Sequence, residues 1–122
     1  MPKTQLVFYQ EEDGTVPFLE WLDGLPAKAK DKSRVKIERL AALGYELRRP
    51  EADYLRDGIY EPRFRIGRVN YRILYFFHLD IAAVLSHGLV KERLVTRREI
   101  VRALEQKRKF GEDPEGHTYQ EG

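Results

Sequence analysis

Residues 55–77, LRDGIYEPRFRIGRVNYRILYFF, constrain this chain most, because they lay arginines and aromatics alternately along two extended runs joined by a tight turn. Side chains two apart share one face of a strand, so Arg63 and Arg65 fall together while Phe64 and Ile66 point the other way. The spacing predicts a β-hairpin with one charged face and one apolar face. Gly67-Arg68-Val69-Asn70 supplies its turn, and the run 71–77 is aromatic and branched enough for a central strand. Arg72 on that strand requires an anionic partner, since a guanidinium keeps its charge and must be paired where it is partly buried.

The flanking segments supply the other layers. Residues 4–9 (TQLVFY) read as a strand and 10–14 as a polar turn. Pro17 suits the first turn of a helix capped by Thr15 or Val16, with Phe18, Leu19, Trp21, Leu22 and Leu25 as its apolar face and Trp21 in the core. Pro26 restarts a second helix that runs to about Leu43 and stops at Gly44. Residues 45–57 have no period and read as a loop. The apolar run 81–90 suits a strand buried on both faces and ends at Lys91. Thr96-Arg97-Arg98-Glu99 matches a capping box, opening a third helix that buries Ile100, Ala103, Leu104 and the stem of Lys107. Its Arg97, Arg98, Arg102 and Lys109 are expected to face outward. The expectation is a single α+β domain over residues 1–110, in the order β-α-α-β-β-β-α, with the sheet packed against a helical hairpin and a C-terminal helix. The acidic tail 111–122 lacks apolar content and is expected to be mobile.

Charge is segregated although the 122 residues sum only to +2. Residues 56–72 carry five arginines against Asp57 and Glu61, and residues 91–109 carry eight basic groups against three acidic ones, whereas both chain ends are acidic. Brought together, the two basic segments would form a surface that attracts phosphates. The absence of cysteine excludes disulfides, thiol catalysis and thiolate zinc sites, and three scattered histidines suggest no metal site, so no metal or cofactor is expected. With neither a long apolar run nor a basic-then-apolar leader, the chain is expected to be soluble and cytoplasmic, with no membrane association.

GIYEPRFR followed by NYRILY, then HGLVK and the terminal REIVRALEQKRKF helix, resembles the RelE/ParE superfamily of toxins from type II toxin-antitoxin pairs, especially its HigB-like, phage-associated branch. The resemblance covers roughly residues 4–110 and implies a RelE-like fold. It also implies a toxin that cuts mRNA on the ribosome and a cognate helix-turn-helix antitoxin. ParE-like members of the same fold poison gyrase without nuclease chemistry, so a non-nuclease binding module, either a gyrase poison or a decayed toxin retained as an antitoxin-binding partner, is the alternative. By resemblance, Arg63 matches a basic residue of the first hairpin strand, Arg72 the arginine of the Tyr-Arg-hydrophobic signature, and Lys91 the basic position closing the last strand. The chain departs from the pattern at Pro62, which has no amide to donate, at Glu92, where a second lysine is common, and at Thr96, which replaces a proline.

The chemistry can also be argued from the residues. RNA is cut without metal when its 2′-hydroxyl attacks the neighbouring phosphate through a five-coordinate, more negative species, and fixed arginines stabilise such charge. Arg63, Arg72 and Lys91 are the expected catalytic cations. Arginine is a poor general base, so proton transfer falls to Glu61, Glu51, Asp53 or His87. Arg65, Arg68, Tyr71, Arg93, Arg97 and Arg98 are the expected RNA contacts.

Overall fold

The computed structural model describes residues 4–48, 51–79, 82–90 and 95–119. In chain order the elements are β1 (Gln5–Phe8), α1 (Pro17–Asp23), α2 (Ala27–Leu43), β2 (Ala52–Arg56), β3 (Ile59–Ile66), β4 (Val69–His78), β5 (Ala82–Val90) and α3 (Arg97–Glu112). The strands form one mixed sheet in the order β1-β5-β4-β3-β2, with β1 parallel to β5 and the other neighbours antiparallel. The α+β class is as expected.

One strand is added to the expected order. β2 lies inside the segment read as a loop, because Asp57 and Gly58 both adopt positive φ, 51° and 85°, and close a two-residue hairpin between the paired Arg56 and Ile59. Two left-handed residues in succession match the twist of the flanking strands, and Asp-Gly is among the sequences that adopt them most readily. β3 therefore has a neighbour on each side, and Pro62 stands inside the sheet opposite Ala52, not on an edge. The β3–β4 register is formed at Tyr60 opposite Tyr75 and again at Arg63 opposite Arg72, skipping Glu61 and the proline that has no N–H to donate.

Period-two alternation divides the apolar residues of β4 between two layers. Tyr71, Ile73 and Tyr75 join Phe18 of α1 and Leu40 of α2 on one face, and Leu74 and Phe76 join Ala103 and Phe110 of α3 on the other. Trp21 packs against the first layer, as expected, and lies over Gly88 of β5, where a Cβ would collide with the indole ring.

One expectation for α3 is corrected. Thr96 has the extended backbone of an N-cap, but its side chain makes no capping hydrogen bond, and Glu99 turns toward His87 on β5 instead of back to Thr96. The described part of the tail pairs with β1. α3 continues to Glu112, a 3-10 turn spans Glu115–His117, and the next residues pair with the end of β1: Tyr119 N–H donates to Phe8 C=O and Gln10 N–H to His117 C=O. His117 supplies what the low apolar content concealed, a ring stacked 5.2 Å from fully buried Tyr9.

Candidate functional site

Arg63 on β3 and Arg72 on β4 are direct cross-strand partners, and alternation sends both side chains to the α3 face together with Glu61. Arg72 Nη1 donates to Glu61 Oε1 at 2.7 Å. Arg63 Nη1 lies 3.9 Å from that same oxygen, and Arg63 Nη2 is 3.6 Å from Asp53 Oδ2 on β2. Asp53 reaches the group because it is paired with Glu61 across β2 and β3. Four of the expected site residues thus converge: Arg63, Arg72, Glu61 and Asp53.

Their exposures divide the roles. Arg72 and Glu61 are 6% and 1% exposed, whereas the Arg63 side chain retains 39% of its surface. The anionic partner demanded by Arg72 is therefore Glu61, and the buried pair fixes the position around which Arg63 turns outward. Burial pushes the Glu61 carboxyl above its ordinary value, against the opposing attraction of Arg72 and Arg63. Glu61 Oε2 and Arg72 Nε have no hydrogen-bond partner among the described residues.

The other expected residues lie elsewhere. Lys91 and Arg93 fall outside the described residues. Glu51 faces α2, where Arg39 donates to both its carboxylate oxygens at 2.6 and 3.0 Å and holds its pKa below the usual carboxylate range. Tyr71 points to the opposite face of the sheet from Arg72 and stacks on Phe64 in the core, with ring centroids 5.0 Å apart, so it offers no face to a base. Arg65 and Arg68 are exposed at the β3–β4 hairpin tip, and Arg97 and Arg98 are exposed at the start of α3.

His87 sits in a separate buried cluster. Its Nδ1 is 2.8 Å from Ser86 Oγ, whose hydroxyl donates to Gln106 Oε1 on α3, and its Nε2 is 3.5 Å from Glu99 Oε1. Burial, reinforced by Arg102 and only partly opposed by Glu99, pulls its pKa down to about 4, so the ring is neutral at physiological pH. Glu99 also lines a cleft of about 530 Å³ with Thr96, Arg98 and Arg102. Ser86 escaped the sequence reading because a register shift between Leu74 and Tyr75 leaves it out of the β4–β5 pairing, and Gln106 because a lone glutamine on α3 carries no signal of its own. Glu99 was assigned to a cap. α2 carries a further exposed basic face, formed by Lys28, Lys32 and Arg39.

The family model described as phage-derived protein Gp49-like (DUF891) matches residues 20–109, well over half of the chain. The chain belongs to the Gp49-like family. A comparison with curated proteins found no match. Gp49-like proteins form a phage-derived, toxin-like family associated with RelE-like toxins, which agrees with the broader part of the resemblance and suggests an antitoxin partner. In this Gp49-like chain the matched span holds Asp53, Glu61, Arg63 and Arg72, while β1 and the tail that pairs with it lie outside. Among the described residues no helix is long and apolar enough to cross a membrane.

Proposed function

We propose that this Gp49-like chain is the toxin of a type II toxin-antitoxin pair and, in the manner of the HigB-like toxins it resembles, cuts ribosome-bound mRNA in the cytoplasm without metal. The observation that carries this reading is Arg63, 39% exposed and held between the buried Glu61–Arg72 pair and Asp53. Arg63 takes a scissile phosphate and stabilises the charge that develops on it. Asp53, whose side chain is 18% exposed, accepts the 2′-hydroxyl proton as the 2′-oxygen bonds to phosphorus. The bond from phosphorus to the 5′-oxygen breaks, and Lys91, next in sequence after the last residue of β5, supplies the proton that the departing oxygen takes. Arg72 acts through Glu61 as a positioning residue. Arg65, Arg68, Arg97 and Arg98 hold the RNA backbone around the site.

The test is cleavage of ribosome-bound messenger in excess chelator, with the new ends identified. Cyclic 2′,3′-phosphate and 5′-hydroxyl ends support the reading, and intact messenger opposes it. A second reading, a binding module without nuclease chemistry, is favoured by one observation: Arg72 is already neutralised by Glu61 and presents little surface to a substrate. Gyrase inhibition by a chain that leaves messenger intact would select it. Under either reading the partner is an antitoxin, and co-purification of a small helix-turn-helix protein from the native host tests that.

A further inference from the structure

The free edge of β2 carries a second feature, on the opposite face from Arg63. Tyr45 and Tyr54 are 46% and 55% exposed, and with Tyr60, Ala52, Leu47 and Asp53 they line a cleft of about 350 Å³ whose rim includes exposed Arg48. That volume lies at the small end of the range of about 300–1,000 Å³ found for ligand pockets. The rings are fixed in place. Tyr45 stacks on Phe77 with centroids 3.8 Å apart, Tyr54 meets Tyr60 edge-on at 5.0 Å, and the Tyr54 hydroxyl accepts the Gly58 N–H at 3.1 Å. Aromatic faces held rigid beside guanidiniums are what single-stranded nucleic acid uses, because every base has a π-face and every linkage a phosphate.

Register ties this cleft to the arginine cluster. Asp53 opposite Glu61 and Tyr54 opposite Tyr60 are successive pairs of the β2–β3 ladder, so carboxylate and tyrosine stand about 3.4 Å apart along one strand and on opposite faces of it. β2 ends the sheet. We propose that a single RNA strand turns around this edge, with a phosphate at Arg63 on one face and a neighbouring nucleobase in the Tyr45–Tyr54–Tyr60 cleft on the other. This rests on the nucleic-acid reading above and adds a base subsite to it. The cleft selects an unstacked base, so the substrate is single-stranded and splayed, and Arg48 takes an adjoining phosphate.

The experiment measures affinity, separately from cleavage, for a single-stranded oligoribonucleotide of about eight nucleotides, within the span that one small domain covers. A sugar-phosphate strand of equal length without bases is the comparison. Tyr54→Ala should weaken binding of the intact strand at least about fivefold. Tyr54→Phe should keep it, and both variants should bind the baseless strand as the parent does. Thermal unfolding checks the fold of each, and Tyr45→Ala gives the same readout if Tyr54→Ala fails to fold. Unchanged affinity in the alanine variants, an equal loss on both strands, or a parent that binds no RNA overturns the proposal. A parent that binds RNA through these tyrosines and leaves messenger intact keeps the base subsite and removes the nuclease reading.

Discussion

Glu61 Oε1 accepts from Arg72 Nη1 at 2.7 Å, and this bond joins two adjacent strands through a carboxylate that is 99% withdrawn from water. A charge so placed is tolerable only while its partner remains. Removing one member of such a pair leaves the other buried and uncompensated, at about 3–5 kcal/mol. Arg72→Ala and Glu61→Ala should each lose stability of that order in urea unfolding. The joint replacement Glu61→Leu with Arg72→Met should recover most of the loss, because two apolar side chains need no desolvation of charge. Additive losses in the double variant would mean that the two residues do not act as a pair.

His87 makes stability depend on pH. The folded chain keeps this ring neutral down to about 4, whereas in the unfolded chain it takes a proton near its ordinary 6.5. Between those values the unfolded state binds more protons, so stability falls as pH drops from about 6.5 to about 4 and is unaffected by this group above that window. The loss at the acid end is about 3 kcal/mol, from about 1.4 kcal/mol per pKa unit. Thermal midpoints measured across this range should fall more steeply for the parent than for His87→Leu. Parallel curves would remove His87 as the cause.

Gly88 marks the contact between α1 and β5. A methyl group there meets the indole of Trp21, and a packed ring cannot yield without shifting its helix. Gly88→Ala should therefore destabilise by about 1–3 kcal/mol, as overpacking in a core does. Trp21 is the single tryptophan of the chain, so its emission should change as well. Unaltered stability and emission would place the indole elsewhere.

Much of this architecture was legible in residue order. In the 55–77 stretch alternation alone placed Phe64 and Ile66 in the core and left Arg63 and Arg65 with access to solvent, but the arginine face is not wholly charged, since Ile59, Leu74 and Phe76 on it pack against α3. The requirement for an anion beside Arg72 followed from charge alone, and Glu61 meets it. β2 was missed because Ala52-Asp-Tyr-Leu-Arg mixes charges with one aromatic, and the informative signal lay after it, in Asp57-Gly58. The capping box failed because Glu99 on α3 has another neighbour, His87, buried on the preceding strand β5. The tail's attachment was likewise hidden, since a lone histidine in a polar segment does not announce the tyrosine it will stack on.

The most direct test of the account is the rate at which the parent and Arg63→Ala cut ribosome-bound messenger in chelator, with thermal unfolding followed beside it. Arg63 is half-exposed and its charge is not buried, so its loss should leave the unfolding midpoint nearly unchanged. A donor aimed at the reacting phosphate contributes about 2–4 kcal/mol to the transition state, so cleavage should fall by about thirtyfold to nearly a thousandfold. An Arg63→Ala chain that is folded and cuts as fast as the parent, or a parent that leaves messenger intact, would contradict it.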